Sequence, residues 1–226
     1  MSSSNGPRII TNALVFYLDA GDKKSYPKSG AVWSDRSGKK NNGTLVNAPT
    51  YNPANLGNFQ FINNTYISSL DEASLNTQTP SVEVWVKTNA TTQNGFWFEK
   101  GDVNTQYSLF QEGNVIQWRI NIGGSYSNLS TTTATYMNTS SWYQVVATYS
   151  SGFRRLYING ILVNSDTQSG IISTNSGGVR IGAYGGASPN YFYNGSLAIC
   201  KIYNRALTAQ EIKENFNSTK SRFSLP

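Results

Sequence analysis

The chain has 226 residues, a size typical of one all-β domain, because sandwiches and barrels of about 200–250 residues often form a single unit. Charged residues make up only 13%, whereas aromatic residues, Ser, Thr, Asn and Gly are plentiful, which favours strands and turns over long helices. The formal net charge is +6, but the basic pairs are scattered and no apolar window reaches the length of a membrane span, so we expect neither nucleic-acid binding nor membrane insertion.

Strand patterns recur along the whole chain. Leu14 to Asp19 is apolar on both faces and predicts a central strand. Residues 81–87 alternate cleanly, so that Val82, Val84 and Val86 should share one face of a strand. Further strands are predicted over residues 96–100, 107–110, 115–122, 142–149, 155–163, 179–184 and 196–203.

Two predicted hairpins connect neighbouring strands. Asn159-Gly160 is the dipeptide preferred in type I′ turns, which places Ile158 opposite Ile161. That register would put Leu156, Ile158, Ile161 and Val163 on one apolar face. Residues 58–62 and 66–67 resemble a second, short hairpin around Asn63-Asn64.

The C-terminal part predicts a strand, a tight corner and one short helix. Thr208 and Glu211 have capping-box spacing, and Leu207 and Ile212 have the spacing of the accompanying hydrophobic staple. We therefore predict an all-β fold, a two-sheet antiparallel β-sandwich (jelly roll) with one short C-terminal helix. Residues 1–9 would form an N-terminal arm, residues 10–217 the jelly roll and residues 218–226 a polar tail.

Four of these segments, residues 82–87, 142–149, 156–163 and 195–216, carry a family resemblance. In this order they resemble the laminin-G-like jelly rolls of the concanavalin A-like lectin/glucanase superfamily, which includes lectins, adhesins, enzymes and virion proteins. The opening, residues 14–22, 33–38 and 41–45, is similar to a variant found in tailed-phage structural proteins. The resemblance implies a fold and leaves the function open.

Enzymes of this superfamily usually carry alternating acidic residues on one strand, and this chain has no such run. Glu83 alternates with Trp85 and Lys87, and the chain contains no histidine, so we expect no catalysis. Cys200 is the only cysteine, which excludes an intrachain disulfide, and we expect it to be a small buried residue.

No cofactor is predicted. The resemblance implies that one Ca²⁺ could bind at the rim of the sandwich, where it would require several oxygen ligands. The aspartates near loop ends form no dense cluster, and we favour Asx-turn capping for them instead. They are Asp19, Asp22, Asp35, Asp102 and Asp166.

A sugar-binding surface would need aromatic rings beside polar groups. Trp85 and Trp118 lie in predicted strands, where packing in the core is the alternative role. Arg119 alternates with polar neighbours and could line the same face as Trp85. Tyr184 and Tyr191 lie in a predicted loop, where contact with a ligand is more readily achieved. These five residues are the candidate carbohydrate-binding site.

Three functions remain open at this level. The leading hypothesis is a non-catalytic binding or structural protein of a tailed-phage virion, in the capsid decoration or in a tail or fibre. It rests on the opening segments and on an N-terminus without an apolar signal-peptide run. Partners would be other virion proteins, further copies of the chain or surface glycans. The alternatives are an extracellular or cell-surface lectin or adhesin and, third, a polysaccharide-cleaving enzyme.

Overall fold

Two antiparallel β-sheets stacked face to face form the body of the domain. The computed structural model describes residues 8–102, 104–150, 152–185 and 188–226. The strands in chain order are β1 (Leu14–Asp19), β2 (Val32–Trp33), β3 (Gly43–Val46), β4 (Thr50–Asn52), β5 (Asn58–Phe61), β6 (Tyr66–Ser68), β7 (Ser81–Thr88), β8 (Gly95–Gly101), β9 (Thr105–Glu112), β10 (Val115–Ile122), β11 (Ser125–Thr132), β12 (Tyr143–Ser150), β13 (Phe153–Ile158), β14 (Ile161–Asp166), β15 (Val179–Ile181) and β16 (Gly195–Tyr203). The predicted two-sheet sandwich is therefore confirmed.

Each sheet contains eight strands among the described residues. The first sheet has the order β14-β13-β12-β7-β16-β5-β4, and β1 also pairs with β16. The second sheet has the order β11-β10-β9-β8-β15-β6-β3-β2. Over the described ranges, two α-helices accompany the sheets, the short α1 (Thr133–Tyr136) and the C-terminal α2 (Ala209–Thr219). Among the described residues, neither helix has the length and apolar character needed to cross a membrane.

The core lies between the two sheets and follows the alternation of side chains along each strand. Val82, Val84 and Val86 all enter it and are fully buried, as predicted. Cys200 lies opposite Val84 on the neighbouring strand, and burial raises the pKa of its thiol. The cysteine is therefore a small core residue, which confirms its predicted role.

The hairpin between β13 and β14 has the predicted turn. Asn159 and Gly160 both have positive φ, at 51° and 76°, and Ile158 pairs with Ile161. Ile161, however, is 69% exposed, so it does not complete the predicted apolar face. The register also shifts one pair further on, leaving Val163 as an extra residue in β14.

The second predicted hairpin is wrong. β5 pairs in the first sheet and β6 in the second, so residues 62–65 cross from one sheet to the other. Thr65 stabilises this crossing, since its hydroxyl oxygen accepts from the Ile62 N–H at 3.0 Å and donates to the Ile62 carbonyl at 2.8 Å. A reversal within one sheet and a crossing between sheets both need short apolar strands and turn residues, so the sequence pattern does not separate them.

The capping box at the start of α2 is present as predicted. The Glu211 N–H donates to the Thr208 hydroxyl at 3.2 Å, and the Thr208 N–H donates to the Glu211 carboxylate at 2.9 Å. Arg205 adds a two-pronged contact to the same carboxylate, at 2.7 and 2.6 Å. These hydrogen bonds, the Arg205 contact first, lower the pKa of Glu211 to about 2.

The residues after α2 belong to the domain, which corrects the predicted boundary at residue 217. The chain continues into a 3-10 turn, Lys220–Phe223, whose Phe223 ring is 4% exposed. Phe223 stacks on Trp85 at 4.5 Å between ring centroids and also contacts Trp142 at 4.8 Å. Of the predicted arm, residues 1–7 lie outside the described residues; just after it, the Ile10 N–H donates to Asn215 of α2 at 2.7 Å.

Replacing Phe223 tests whether this C-terminal turn is part of the folded unit. We expect Phe223→Ala to lower the free energy of unfolding by about 3–5 kcal/mol, because a buried ring is removed from between two tryptophans. Ser221→Ala, at an exposed position of the same turn, is the matched control and should change it by less than about 0.5 kcal/mol. Equal stability of both variants by urea denaturation would contradict the packed turn.

Candidate functional site

A cavity of about 290 Å³ opens on the outer face of the second sheet, over β8, β9 and β10. Two larger hollows lie elsewhere, but one has no aromatic lining residue and the other has Tyr17 alone. The first cavity combines several rings with polar groups, which is the composition expected of a small-ligand site. Its lining residues are Asn94, Phe96, Phe110, Gln111, Glu112, Arg119, Tyr184 and Tyr191.

Two stacked phenylalanines form the apolar part of the cavity. Phe96 and Phe110 are paired across β8 and β9, and their rings lie parallel with centroids 4.2 Å apart. The pairing register shifts at Trp97, so that Trp97 and Phe98 both enter the core while Phe96 stays on the outer face. This bulge redirects one side chain toward the cavity without opening the sheet.

Tight turns set the position of β10 relative to its neighbours. Gly113-Asn114 joins β9 to β10, and Gly113 has a φ of 58°, as the first position of a type II′ turn requires. Gly123-Gly124 joins β10 to β11, with φ values of 60° and 86° that suit a type I′ turn. Both turns enforce a register that places Arg119 on the outer face, opposite residues 108 and 128.

Arg119 lies between two aromatic rings on this face. Its guanidinium carbon is 4.5 Å from the centroid of the Phe110 ring and 5.2 Å from that of the Tyr126 ring. Such contacts attract a cation to the negative face of the ring and restrict the movement of a long side chain. The Arg119 side chain is half-buried, so it is held in place and still reaches the cavity.

A chain of polar side chains leads from Arg119 along the sheet. The Arg119 Nε donates to the Asn128 oxygen at 3.1 Å, and the Asn128 amide donates to the Gln117 oxygen at 2.5 Å. The Gln117 amide in turn donates to the carboxylate of Glu112. The relay fixes the orientation of both amides, because Asn128 and Gln117 each accept a hydrogen bond through the oxygen and donate the next one through the nitrogen. A cation therefore stands at one end and a carboxylate at the other.

The loop after β15 supplies the two tyrosines of the cavity. The Tyr184 ring lies 4.9 Å from the Phe96 ring and 6.0 Å from the Tyr191 ring. Tyr184 and Asn190 exchange backbone hydrogen bonds at 2.9 and 3.1 Å, and the Phe96 N–H donates to the Tyr191 carbonyl at 3.2 Å. Tyr191 is 53% exposed and has a φ of 47°, which is unusual for a bulky residue. The Tyr191 backbone is therefore strained, and its exposed ring lies at the rim of the cavity.

Glu99 lies beneath this loop, fully buried on the outer face of β8. Its carboxylate accepts a hydrogen bond from the Thr105 hydroxyl at 2.6 Å and another from the Gly185 N–H. Burial raises the pKa of Glu99 to about 7, against the opposing effect of those hydrogen bonds and of nearby Arg180 and Arg119. The group therefore titrates near neutral pH while it holds the start of the loop.

The structure brings three of the five sequence-predicted site residues together. Arg119, Tyr184 and Tyr191 all line the same cavity. Phe96 and Phe110 were not among the predicted site residues, because alternation in a strand does not show which of its two faces is covered. The signal that could have located β11, the strand carrying Asn128 and Tyr126, was the Gly-Gly pair before it.

The two predicted tryptophans do not contribute to the cavity. Trp85 is fully buried beneath the C-terminal segment, where its ring stacks on those of Phe216 and Phe223. Trp118 is fully buried between the sheets and packs edge-on against Tyr107. The expectation that Trp85 and Arg119 line one face is also wrong, since they belong to different sheets.

Glu83, the carboxylate considered for catalysis, lies in the interior and connects elements of the fold. It is fully buried and accepts hydrogen bonds from Lys201 at 3.0 Å, Asn215 at 2.8 Å and Trp85 at 3.2 Å. These partners belong to β16, α2 and its own strand β7. The carboxylate therefore joins three elements of the fold, and it has no surface through which a substrate could reach it.

Four of the five predicted aspartates form Asx turns. Each accepts a hydrogen bond from the backbone N–H two residues further on, at 2.8 or 2.9 Å, which confirms the capping interpretation for Asp19, Asp22, Asp35 and Asp102. Asp166 instead forms an ion pair with Arg154. In the part of the chain that the structure describes, no three acidic, histidine or cysteine side chains converge as a metal site would require.

The fold defines a class, the lectin-like jelly rolls, and a family comparison supports the same assignment. The family model Laminin_G_3, described as concanavalin A-like lectin/glucanases superfamily, matches residues 61–213. The chain belongs to this family, which confirms the laminin-G-like resemblance of the sequence. Among curated proteins, none shows significant sequence similarity to the chain.

Solved structures of the same fold include several toxin binding domains. The binding domain of botulinum neurotoxin DC in complex with rat synaptotagmin II superimposes with a TM-score of 0.73 at 15% identity, covering 93% of this chain and 52% of that one. The same domain in complex with SialylT gives 0.71 at 16% identity, with 92% and 52% coverage. The binding domain of Paraclostridial Mosquitocidal Protein 1 gives 0.72 at 17%, also with 92% and 52%. The chain thus spans about half the length of these structures.

The position of Glu99 predicts a pH-dependent stability. Its pKa is raised from 4.5 to about 7 on folding, so the folded state holds a proton that the unfolded state releases between these values. We expect the free energy of unfolding to fall as the pH rises from about 4.5 to 7, and Glu99→Gln to flatten this part of the profile. Thermal melts across this pH range measure both effects.

Glu112→Gln is the matched control, because Glu112 is an exposed carboxylate of the same face. It should leave the slope of the profile between pH 4.5 and 7 unchanged. A slope that is equal in wild type and Glu99→Gln would show that Glu99 titrates outside this range.

Proposed function

We propose that the chain is a non-catalytic binding module whose ligand is a glycan. The observation that carries this proposal is the cavity on the second sheet, where an exposed tyrosine ring stands beside fixed polar groups. Sugars present both an apolar ring face and a circle of hydroxyl groups, so a site for them needs both kinds of surface.

The geometry indicates how a sugar would bind. The half-exposed Tyr191 ring offers a flat apolar face, and Phe96 and Phe110 extend it into the cavity. The carboxylate of Glu112 and the amide of Asn94 are exposed at the same opening and can bond to hydroxyl groups. Because the polar relay already orients Glu112, little side-chain entropy is lost on binding.

The structural neighbours support a binding role of this kind. Their names describe receptor-binding or binding domains, and one is in complex with SialylT while another holds rat synaptotagmin II. At 15–18% identity these likenesses concern the fold, so they favour a glycan or protein receptor without selecting one. The composition of the cavity in this chain favours the glycan.

Two observations support a role without catalysis. The carboxylate of Glu83 is fully buried and held by three hydrogen bonds. Glu99, whose raised pKa would suit a general acid, is likewise fully buried, and it is not among the lining residues of the cavity. Glycoside hydrolysis needs two carboxyl groups flanking one bond, and within the cavity lining of the described residues Glu112 is the one carboxylate.

The setting in which the module works stays a prediction. In a tailed-phage virion, the setting that the opening segments favour, such a site would contact glycans on the host surface. In a cell-surface adhesin, the same site would contact glycans on another cell. Mass spectrometry of purified virions tests the first setting. The peptides of this chain should be present in them, and their absence would remove the virion hypothesis while leaving the glycan proposal in place.

Replacing Tyr191 tests the proposed site directly. On a glycan array, wild-type protein should bind a defined subset of glycans, and Tyr191→Ala should weaken that binding at least about tenfold, because the main exposed ring is lost. Tyr136→Ala is the matched control, since this tyrosine is 37% exposed on α1 and does not line the cavity. It should bind as the wild type does.

Two outcomes would contradict the proposal. Binding that survives Tyr191→Ala unchanged would place the ligand elsewhere on the domain. Release of reducing ends from a bound polysaccharide would show that the module also cleaves, which the burial of Glu83 and Glu99 argues against.

A further inference from the structure

We propose that the cavity selects acidic glycans, and that Arg119 binds the carboxylate of the sugar. This inference rests on the proposed glycan-binding function and adds the class of ligand. The observations behind it are the placement of the Arg119 guanidinium, its lack of a protein counter-ion and the charges that surround it.

Arg119 differs from three other arginines that pack into the domain. Arg154, Arg205 and Arg222 each form an ion pair with an aspartate or glutamate, at no more than 2.6 Å. Among the described residues, Arg119 forms no such pair, and its hydrogen bond uses only Nε. The two terminal nitrogens of the guanidinium therefore keep their donors for a ligand at the cavity.

The surroundings of Arg119 hold it ready for a planar anion. The rings of Phe110 and Tyr126 restrict the guanidinium, and Asn128 fixes the Nε side of its plane. A guanidinium held in this way presents two parallel N–H groups that match the two oxygens of a carboxylate. Desolvation by the neighbouring rings strengthens such a contact relative to one in open solvent.

The other charges near Arg119 allow an anion to bind. Glu99 on β8 faces both Arg119 and Arg180 of β15, and burial favours its protonated form. Glu112, at the end of β9, is engaged by Gln117 at the far end of the relay. Tyr184 on the loop has its pKa raised, chiefly by burial, and stays neutral. Because burial favours the protonated form of Glu99 and Gln117 engages Glu112, these two groups leave Arg119 able to attract a ligand carboxylate.

The test compares each acidic glycan with its own methyl ester, which keeps the sugar and removes the charge. Sialyllactose and trigalacturonic acid, each with its ester, are titrated into the full chain by calorimetry or ligand-observed NMR. We expect at least one acid to bind about tenfold or more tightly than its ester. Arg119→Gln should remove this preference, and Arg119→Lys should restore only part of it, since a lysine keeps the charge and loses the two-pronged geometry.

Arg155→Gln is the matched control. The guanidinium of Arg155 also lies over a ring, 5.0 Å from the centroid of Phe153, but on the first sheet. This variant should keep the preference for the acid. Thermal melts of all variants establish that each is folded, so that a loss of binding reports on the site.

The outcomes separate this inference from the proposed function. If acid and ester bind equally well, or if only neutral glycans bind, the selection of acidic sugars is wrong and the glycan site stands. If neither form binds and a glycan array also shows no binding, the proposed function itself fails. A preference that persists in Arg119→Gln would assign the carboxylate to another residue and overturn the role of Arg119.

Discussion

The rest of the structure depends on the packing of the C-terminal segment over Trp85 and Glu83, which buries both side chains. Lys201 and Glu83 form an ion pair with both side chains fully buried, and Asn215 of α2 donates to the same carboxylate. Removing one partner of such a pair typically costs about 3–5 kcal/mol, because an uncompensated charge stays in the interior. The network therefore fixes α2 and the following turn onto the outer face of the first sheet.

Because the C-terminal segment covers one sheet, the two outer faces of the sandwich differ in what they expose. With α2 and Phe223 over the first sheet, the outer face of the second sheet is left to present polar and aromatic side chains over β8 to β11. Strands hold Arg119 and Phe110, whereas Tyr191 is carried by a loop. The cavity therefore combines side chains fixed by the sheet with side chains from a connecting segment.

The sequence predicted the features that depend on local chemistry. The alternation around Val84, the Asn159-Gly160 turn and the capping box at Thr208 and Glu211 each have one physical solution, and each was found in its predicted place.

The candidate site was only partly predictable from the sequence. Arg119, Tyr184 and Tyr191 could be named as candidates, but their convergence depends on the pairing of strands distant in sequence. The role of Trp85 depends on a later segment, Phe223, that covers it, and strand periodicity carries no information about such a cover.

Cys200 gives the domain an internal reporter of its own opening. The thiol lies at the centre of β16, fully buried and with its pKa raised, so a thiol-specific reagent meets no reactive thiolate while the sheets stay together. The chain has a single cysteine, so labelling reports on one position only. Each labelled molecule is one in which the two sheets have separated enough to expose Cys200. Labelling rates under native conditions would therefore give the frequency of this opening without any engineered probe.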